Sequence, residues 1–393
     1  MNIYDLAEFD DETVRGLVEA TLSKYSELRR FYDDEFIRKL ARRRHNLDNY
    51  LLLQLARPSD EFFGDYWQPV VEDLLVLAPF GGWEKFKAKF RKHERSNVES
   101  ALTELSLSAW MARNCGNVVL EPPTDGGQNC DFKGETSPEI FWEIKTLRDL
   151  DFIEVDKRIY LRAQAAFRRI EQPYVLHMRA LRIAEIDLAT AVRDVKKQLA
   201  EHHRKGGIAQ GTFGCNGLVV EIIGVSKRKF GYVGSSMGKS MVFGSEQALK
   251  VGRSIRSAKS QIPADAAGIV VIDSSVADWI DEDDVIDACF GVVSMAFVGG
   301  REMMVRGDNA VFRPDCDRRV SAVAWYTSGH RRLRDTAITV VHNPYARIPL
   351  GNSVLEFEGV KQIRSVETGD GFRRMEIALT PISPELAEPD AGN

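Results

Sequence analysis

Within residues 131–145, which read DFKGETSPEIFWEIK, stand two acids and a lysine: Asp131, then Glu143 and Lys145 two residues apart. The stretch reads as a strand beginning near the first acid, a turn, and a second strand over Ile140 to Thr146. Side chains on a strand alternate faces, so Glu143 and Lys145 point the same way and Ile144 points the other. Carboxylates and an ammonium gathered at one sheet edge are costly unless they serve a hard cation and a polyanionic substrate. The chemistry expected of such a set is metal-dependent phosphodiester hydrolysis. A bound cation lowers the pKa of an attacking water and neutralises developing charge. Magnesium takes oxygen ligands in octahedral array and keeps several waters. Asp131 and Glu143 would supply carboxylates and the Ile144 carbonyl a further oxygen. Lys145 would orient or help deprotonate the water, or stabilise the pentavalent phosphate. The competing expectation is an ordinary surface hairpin carrying a salt bridge. Against it, Ile140, Phe141, Trp142 and Ile144 make the strand so apolar that a charged pair within it is expected to be partly buried.

The elements that must hold these residues are legible on both sides. Asn97 to Asn114 reads as a helix, with Ser96 and Glu99 spaced as a capping box and Gly116 as a left-handed stop. Leu102, Leu105, Ala109 and Ala112 form its apolar stripe, and Glu104, Ser108 and Met111 lie on a neighbouring face. Glu104 is therefore a candidate ligand for a second metal or for an inner water, with Glu99 as the alternative. Val118 to Leu120 is a short strand, and Pro122 to Gly127 a turn. Residues 1–95 read as a helical region, with apolar periodicity over Thr13 to Lys24, Asp34 to Leu55 and Trp67 to Leu77. Trp67, Phe80 and Trp83 read as core aromatics, and Lys85 to Arg95 as a solvated basic face, with phosphate contact as the alternative. Downstream, helical patterns (Lys157 to Arg169, Asp187 to His203, and Glu246 to Gln261 with Leu249, Ile255 and Ala258 inward) alternate with strands. The strands are Tyr174 to Met178, Leu218 to Val225, a hairpin of Phe230 to Val233 with Met241 to Phe243, Gly268 to Asp273, Val292 to Val298, Val320 to Tyr326 and Thr336 to Val341. That alternation predicts an α/β layered fold.

Taken together, Glu104, Asp131, Glu143 and Lys145 resemble the motif of the PD-(D/E)XK nuclease superfamily. Asp131 matches its first acid, Glu143 and Lys145 its acid-x-lysine, and Glu104 the acid often found on its first helix. Cys130 stands where that family commonly has proline. The resemblance implies a restriction-endonuclease-like mixed sheet core flanked by helices, preceded here by the helical N-terminal region. It places the nuclease-like domain at 96–350 with an elaboration at about 150–240, followed by C-terminal strands and a flexible tail over 351–393. It implies a divalent-metal-dependent endonuclease using Mg2+, with Mn2+ substituting, and Asp131, Glu143, Ile144 and Glu104 as the metal set. DNA is the implied substrate, in restriction, phage defence or repair, with a homodimer to cut two strands. A non-catalytic nucleic-acid-binding or structural protein on the same fold, and an RNA-directed nuclease, remain alternatives. The family's helix after the third strand carries a further basic or glutamine residue at the site. Two segments compete for that place: Lys157 to Glu171, with Arg162 and Gln164, and Glu246 to Pro263, with Lys259 and Gln261.

Other signals point elsewhere weakly or not at all. The loop from Gly234 to Ser240 has three residues between its glycines where a phosphate loop needs four. His202 and His203 are adjacent, and no histidine has partners at metal spacing. His342 and Asn343-Pro344 read as the structural end of a strand. No nucleophile elbow is present. Five scattered cysteines fit free thiols in a reducing compartment, which with no secretory pattern at the start and no long apolar run predicts a cytoplasmic protein without a membrane span. The net charge of −5 does not favour nucleic acid, but local basic clusters weigh more than the sum.

Overall fold

The computed structural model describes residues 6, 9–43, 49–57, 59–60, 64–124, 129–148, 159, 162–163, 166–167, 174–180, 187–206, 211–225, 232–235, 244–277, 280–298, 301–307, 309–315, 318–327, 338–351, 354–367 and 373–379. The chain forms two compact units, one of Met1–Arg148 with Phe243–Asn393 and one of Asp149–Val242.

The first unit is built on a mixed eight-stranded sheet. Its strands are β1 (Val118–Leu120), β2 (Phe132–Gly134), β3 (Ile140–Thr146), β8 (Ala267–Asp273), β11 (Ala322–Tyr326), β12 (Ile338–His342), β13 (Val360–Glu367) and β14 (Arg373–Leu379), and they lie in the order β14-β13-β12-β11-β8-β3-β2-β1. β1, β2 and β3 are an antiparallel meander, with Phe132 opposite Trp142. β8 runs parallel to both β3 and β11 at the centre of the sheet. All seven of its residues are buried, as a central parallel strand covered on both faces requires.

The two covering layers follow from the alternation of β3. Ile140, Trp142 and Ile144 join a core with Val14, Ile37, Leu51, Trp67, Phe86 and Leu105, one from each of six helices. Those helices are α1 (Asp11–Lys24), α2 (Asp34–Arg42), α3 (Tyr50–Ala56), α4 (Trp67–Leu77), α5 (Gly82–Phe90) and α6 (Arg95–Cys115). Phe141, Val270 and Ile272 join the opposite core with Val251, Ile255 and Ala258 of α8 (Gly244–Ala258) and Val285 of α9 (Glu282–Phe290). Described residues from Leu6 to Phe90, with Leu355 and Val360, share the core on one face of the sheet, and Ile363 joins the core on the other.

Asp10, Asp33 and Asn49 cap α1, α2 and α3 by accepting backbone N–H bonds, which is why acids and amides precede those helices. Asn49 starts a new helix where the sequence reads one helix from Asp34 to Leu55. The expected capping box of Ser96 and Glu99 is not formed: α6 begins at Arg95 with Glu94 at its cap, Ser96 bonds Arg148, and the Glu99 carboxylate accepts from the Tyr50 hydroxyl at 2.5 Å. Tertiary partners have outcompeted a local cap. Gly116 does end the helix, at φ +76°. In α8, Leu249 is exposed where the stripe predicts it inward, and Ala248 and Val251 take the buried positions. A two-stranded hairpin, β9 (Val293–Val298) with β10 (Arg301–Arg306), completes the longer strands of this unit.

The second unit is a four-stranded sheet in the order β5-β6-β4-β7, with β4 (Tyr174–Ala180), β5 (Gly211–Cys215), β6 (Leu218–Val225) and β7 (Tyr232–Ser235). Helix α7 (Leu188–Arg204) lays Leu188, Val195 and Leu199 on Leu176, Met178 and Val220. β7 pairs in parallel with β4, and its expected hairpin partner Met241 to Phe243 lies outside the described residues. So do residues 236–240 of the glycine loop, most of Lys157 to Arg169, and the tail after Pro384. His203 Nδ1 lies 3.1 Å from the Tyr174 hydroxyl, and the His202 ring packs on Phe213.

Candidate active site

Glu143 and Lys145 lie within β3, which neighbours β2 in the sheet. Asp131 immediately precedes β2, opposite the middle of β3. One of its carboxylate oxygens, Oδ2, accepts the Ile144 backbone N–H at 2.8 Å. That bond ties the first acid to the residue beside the second. Glu143 and Lys145 lie on the face of β3 that carries Phe141, toward α8. Lys145 Nζ donates to Glu143 Oε1 at 2.7 Å and to Gln261 Oε1 at 2.8 Å.

Gln261 closes the turn Lys259–Gln261 that follows α8. The next residue, Ile262, presses against Gly268 of β8, where an added Cβ would lie 2.3 Å from the Ile262 side chain. The glycine lets the end of α8 settle on the sheet and brings Gln261 within reach of Lys145. Of the two competing helices after β3, the one containing Gln261 therefore makes this contact. Gln164 and Lys157 lie outside the described residues.

Glu104 and Glu99 go to different places. Glu99 is buried beside Tyr50. Glu104, 4% exposed, lies among Lys85, Lys89 and Asp131. Its Oε1 is 2.5 Å from Lys85 Nζ, close but poorly directed for a hydrogen bond, and its Oε2 accepts from Lys89. Lys85 Nζ also donates to the Asp131 backbone carbonyl at 2.5 Å, and Lys89 Nζ is 4.0 Å from Asp131 Oδ1. The Lys85 side chain is only 5% exposed. The sequence reads Lys85 to Arg95 as a solvated or phosphate-contacting face, and for Lys85 that is corrected: it is a buried partner of the carboxylates. The available signal was the four-residue spacing of Lys85 and Lys89, which places both on one helix face. Their partner is fifteen or more residues away in sequence and only packing reveals it.

The electrostatics show the acids crowding one another. Burial pushes Asp131 up to about 6, with the Glu104 charge adding to it and the Ile144 N–H and the lysines opposing. Burial pushes Glu143 up to about 7, with the Asp131 charge adding and Lys145 opposing. Burial works against the Lys89 ammonium, but Glu104, Asp131 and Glu121 together hold it above the ordinary lysine value. Glu143 Oε2 is buried with no hydrogen-bond partner among the described residues.

Among the described residues no group of three or more histidine, cysteine, aspartate or glutamate side chains is arranged to hold a metal ion. The pair Asp131 and Glu143 nevertheless fits magnesium, which needs few protein oxygens and keeps its waters. The unpartnered Glu143 oxygen is the observation behind that fit, since a buried carboxylate oxygen without a donor calls for a cation or water.

A cleft of about 690 Å3 is lined by Lys259 and Ser260, of the turn that ends in Gln261, with Arg318, Arg319 and Arg347; Asp131, Glu143 and Lys145 are not among its described lining residues. Backbone carbonyls steer two of these guanidiniums: Arg318 Nε donates to the Tyr345 carbonyl at 3.0 Å and Arg347 Nη1 to the Ala264 carbonyl at 3.5 Å. His342 is buried and paired with Gln362, and burial drops its pKa to about 4, consistent with its expected structural role.

Comparison with protein-family models, with curated proteins and with solved structures returned no match. The class defined by the fold is a mixed α/β protein with a multi-stranded sheet flanked by helices. Among the described residues no helix is long and apolar enough to cross a membrane.

Proposed function

We propose that this chain is a divalent-metal-dependent endonuclease of the PD-(D/E)XK kind, hydrolysing phosphodiester bonds in DNA. The observation that carries the reading is the linked set at β2 and β3. Asp131 is tied to Ile144, and Lys145 to both Glu143 and Gln261, with one buried Glu143 oxygen left without a donor. The order α6, β1, β2, β3, α8, β8 supports it, because it sets an acid on a helix, an acid before one strand and an acid-x-lysine on the next. The basic cleft of Lys259, Arg318, Arg319 and Arg347 supports a polyanionic substrate, since phosphate contacts hold and orient a nucleic acid whatever its sequence.

In this reading Asp131 and Glu143 would hold Mg2+ or Mn2+, with the Ile144 carbonyl as a further oxygen. When bound, the ion supplies an acidified water and charge neutralisation at the phosphate. Lys145, steadied by Glu143 and Gln261, aims its ammonium at the attacking water and the developing phosphorane charge. Water adds to phosphorus, the bond to one ester oxygen breaks, and the water proton leaves to solvent or to the leaving oxygen. Restriction, phage defence and repair are the settings the reading fits, and a second copy of the chain would serve the second strand.

The test is cleavage of supercoiled DNA by the purified chain with Mg2+ or Mn2+, with an RNA arm beside it. Loss of cleavage in Asp131→Ala at an unchanged melting temperature is the expected result. Cleavage at the wild-type rate in that variant would sink the reading. The ion pairs of Lys85 and Lys89 favour a second reading, a non-catalytic nucleic-acid-binding protein on the same fold. It requires DNA binding with no cleavage by the wild-type chain under either metal.

A further inference from the structure

We propose that Lys85 and Lys89 stand as built-in cations where a second divalent ion would otherwise sit beside Glu104. The site then takes one metal ion, and helix α5 of the N-terminal region is part of it. The inference rests on the endonuclease reading and specifies its metal count.

Both oxygens of Glu104 are already engaged, Oε1 by Lys85 and Oε2 by Lys89. A buried carboxylate with an ammonium on each oxygen has no open position for a metal. Lys85 is not a surface side chain free to swing away. Its ammonium is also bonded to the Asp131 carbonyl, its side chain is 5% exposed, and its Nζ lies 5.6 Å from the centre of the Phe86 ring. Removing Glu104 from this arrangement would strand two ammoniums in a place of low polarity, which is a large penalty for a partly buried ion pair. The spacing of the two lysines, one helical turn apart on α5, lets both reach one carboxylate.

The contrast lies with the other two acids. Glu104 Oε1 makes no directed hydrogen bond but has the Lys85 ammonium 2.5 Å away, whereas Glu143 holds Lys145 on Oε1 and leaves Oε2 without a hydrogen-bond partner, and Asp131 Oδ1 has Lys89 no nearer than 4.0 Å. Charge counting agrees. Glu104, Asp131, Glu143 and Glu121 bring four negative charges, and Lys85, Lys89 and Lys145 bring three positive ones. One divalent ion then gives the site a net charge of the sign a phosphodiester needs. A second would have to enter against two ammoniums already in place.

Mn2+ titration followed by calorimetry, with bound Mn2+ counted by electron paramagnetic resonance, tests this on the full chain. Wild type is expected to bind one Mn2+ per chain. Glu104→Gln should keep that stoichiometry, with the two ammoniums it leaves unpaired lowering the affinity by less than about tenfold, whereas Asp131→Asn should lose at least about 100-fold. In the Lys85→Met, Lys89→Met double variant, the freed Glu104 should admit a second Mn2+. Should that variant fail to fold, as judged by circular dichroism, the Glu104→Gln result decides alone. Two Mn2+ on the wild type, a tenfold or greater loss in Glu104→Gln, or a folded double variant still binding one ion overturns the inference and leaves the endonuclease reading standing. A wild-type chain that binds no Mn2+ and cuts no DNA removes both.

Discussion

Two buried acids on adjacent parallel strands have opposite surroundings. Asp273 ends β8 beside Thr146 of β3, and Glu143 lies three residues earlier on β3. Asp273 is fully buried and fully satisfied. Its Oδ2 accepts from the hydroxyls of Thr103 and Thr146 at 2.9 and 2.8 Å, and its Oδ1 accepts the Ser275 N–H at 2.9 Å and the Ser275 hydroxyl. Glu143 is 3% exposed, shares one oxygen with Lys145 and leaves the other unpartnered. Burial raises the pKa of both acids, opposed by hydrogen bonds at Asp273 and reinforced by a neighbouring carboxylate at Glu143. A buried acid whose lone pairs are all filled clamps elements together, here α6, β3 and the turn after β8. A buried acid left short of donors and pressed by a like charge is instead a candidate for chemistry.

Alanine at the two kinds of acid should separate them. Asp131→Ala or Glu143→Ala is expected to lower metal-dependent DNA cleavage at least about 10³-fold, with the melting temperature held or raised because a like-charge contact is gone. Lys145→Met should cost roughly 10²–10⁴-fold in rate while calorimetry still detects metal binding, since the ammonium is not a ligand. Lost metal affinity in that variant would count against its assigned part.

Asp273→Ala should instead unfold more easily, by about 3 kcal/mol in urea denaturation, because it strands the hydroxyls of Thr103, Thr146 and Ser275. A wild-type denaturation midpoint there would end the comparison. The pH dependence sharpens it further. The folded pKa values of Asp131 and Glu143, about 6 and about 7, lie above the ordinary carboxylate values, so their contribution to stability is present at low pH and is lost as pH rises through those values. Without metal, the melting temperature should therefore fall between about pH 4 and pH 7 relative to an Asp131→Asn, Glu143→Gln variant. Mn2+ affinity should rise over the upper part of that range, as ligands must be deprotonated. The smallest effect is expected from Gln261→Ala, about tenfold in rate with metal affinity unchanged, because it only steadies Lys145.

Much of the framework was legible. Val118–Leu120, Ile140–Thr146, Leu218–Val225 and Trp67–Leu77 have the limits that periodicity and glycine placement predict. Period-two alternation also placed Glu143 with Lys145 and Ile144 against them. Where a local signal met a tertiary competitor it failed: Glu99 left its expected cap for Tyr50, and Leu249 of α8 points to solvent. Asp273 read only as the end of a buried strand, since nothing local announces the hydroxyls of Thr103 and Thr146, drawn from distant segments.

Strand, turn and helix, and the faces on which charges fall, depend on neighbours a few residues apart, so the chain by itself determined them. Which charge meets which was decided only by packing. Lys85 and Glu104, Lys145 and Gln261, and Asp273 and Thr103 are brought together by helices settling on a sheet. Such pairings depend on burial and close approach across the core, and these exist only once the layers are assembled.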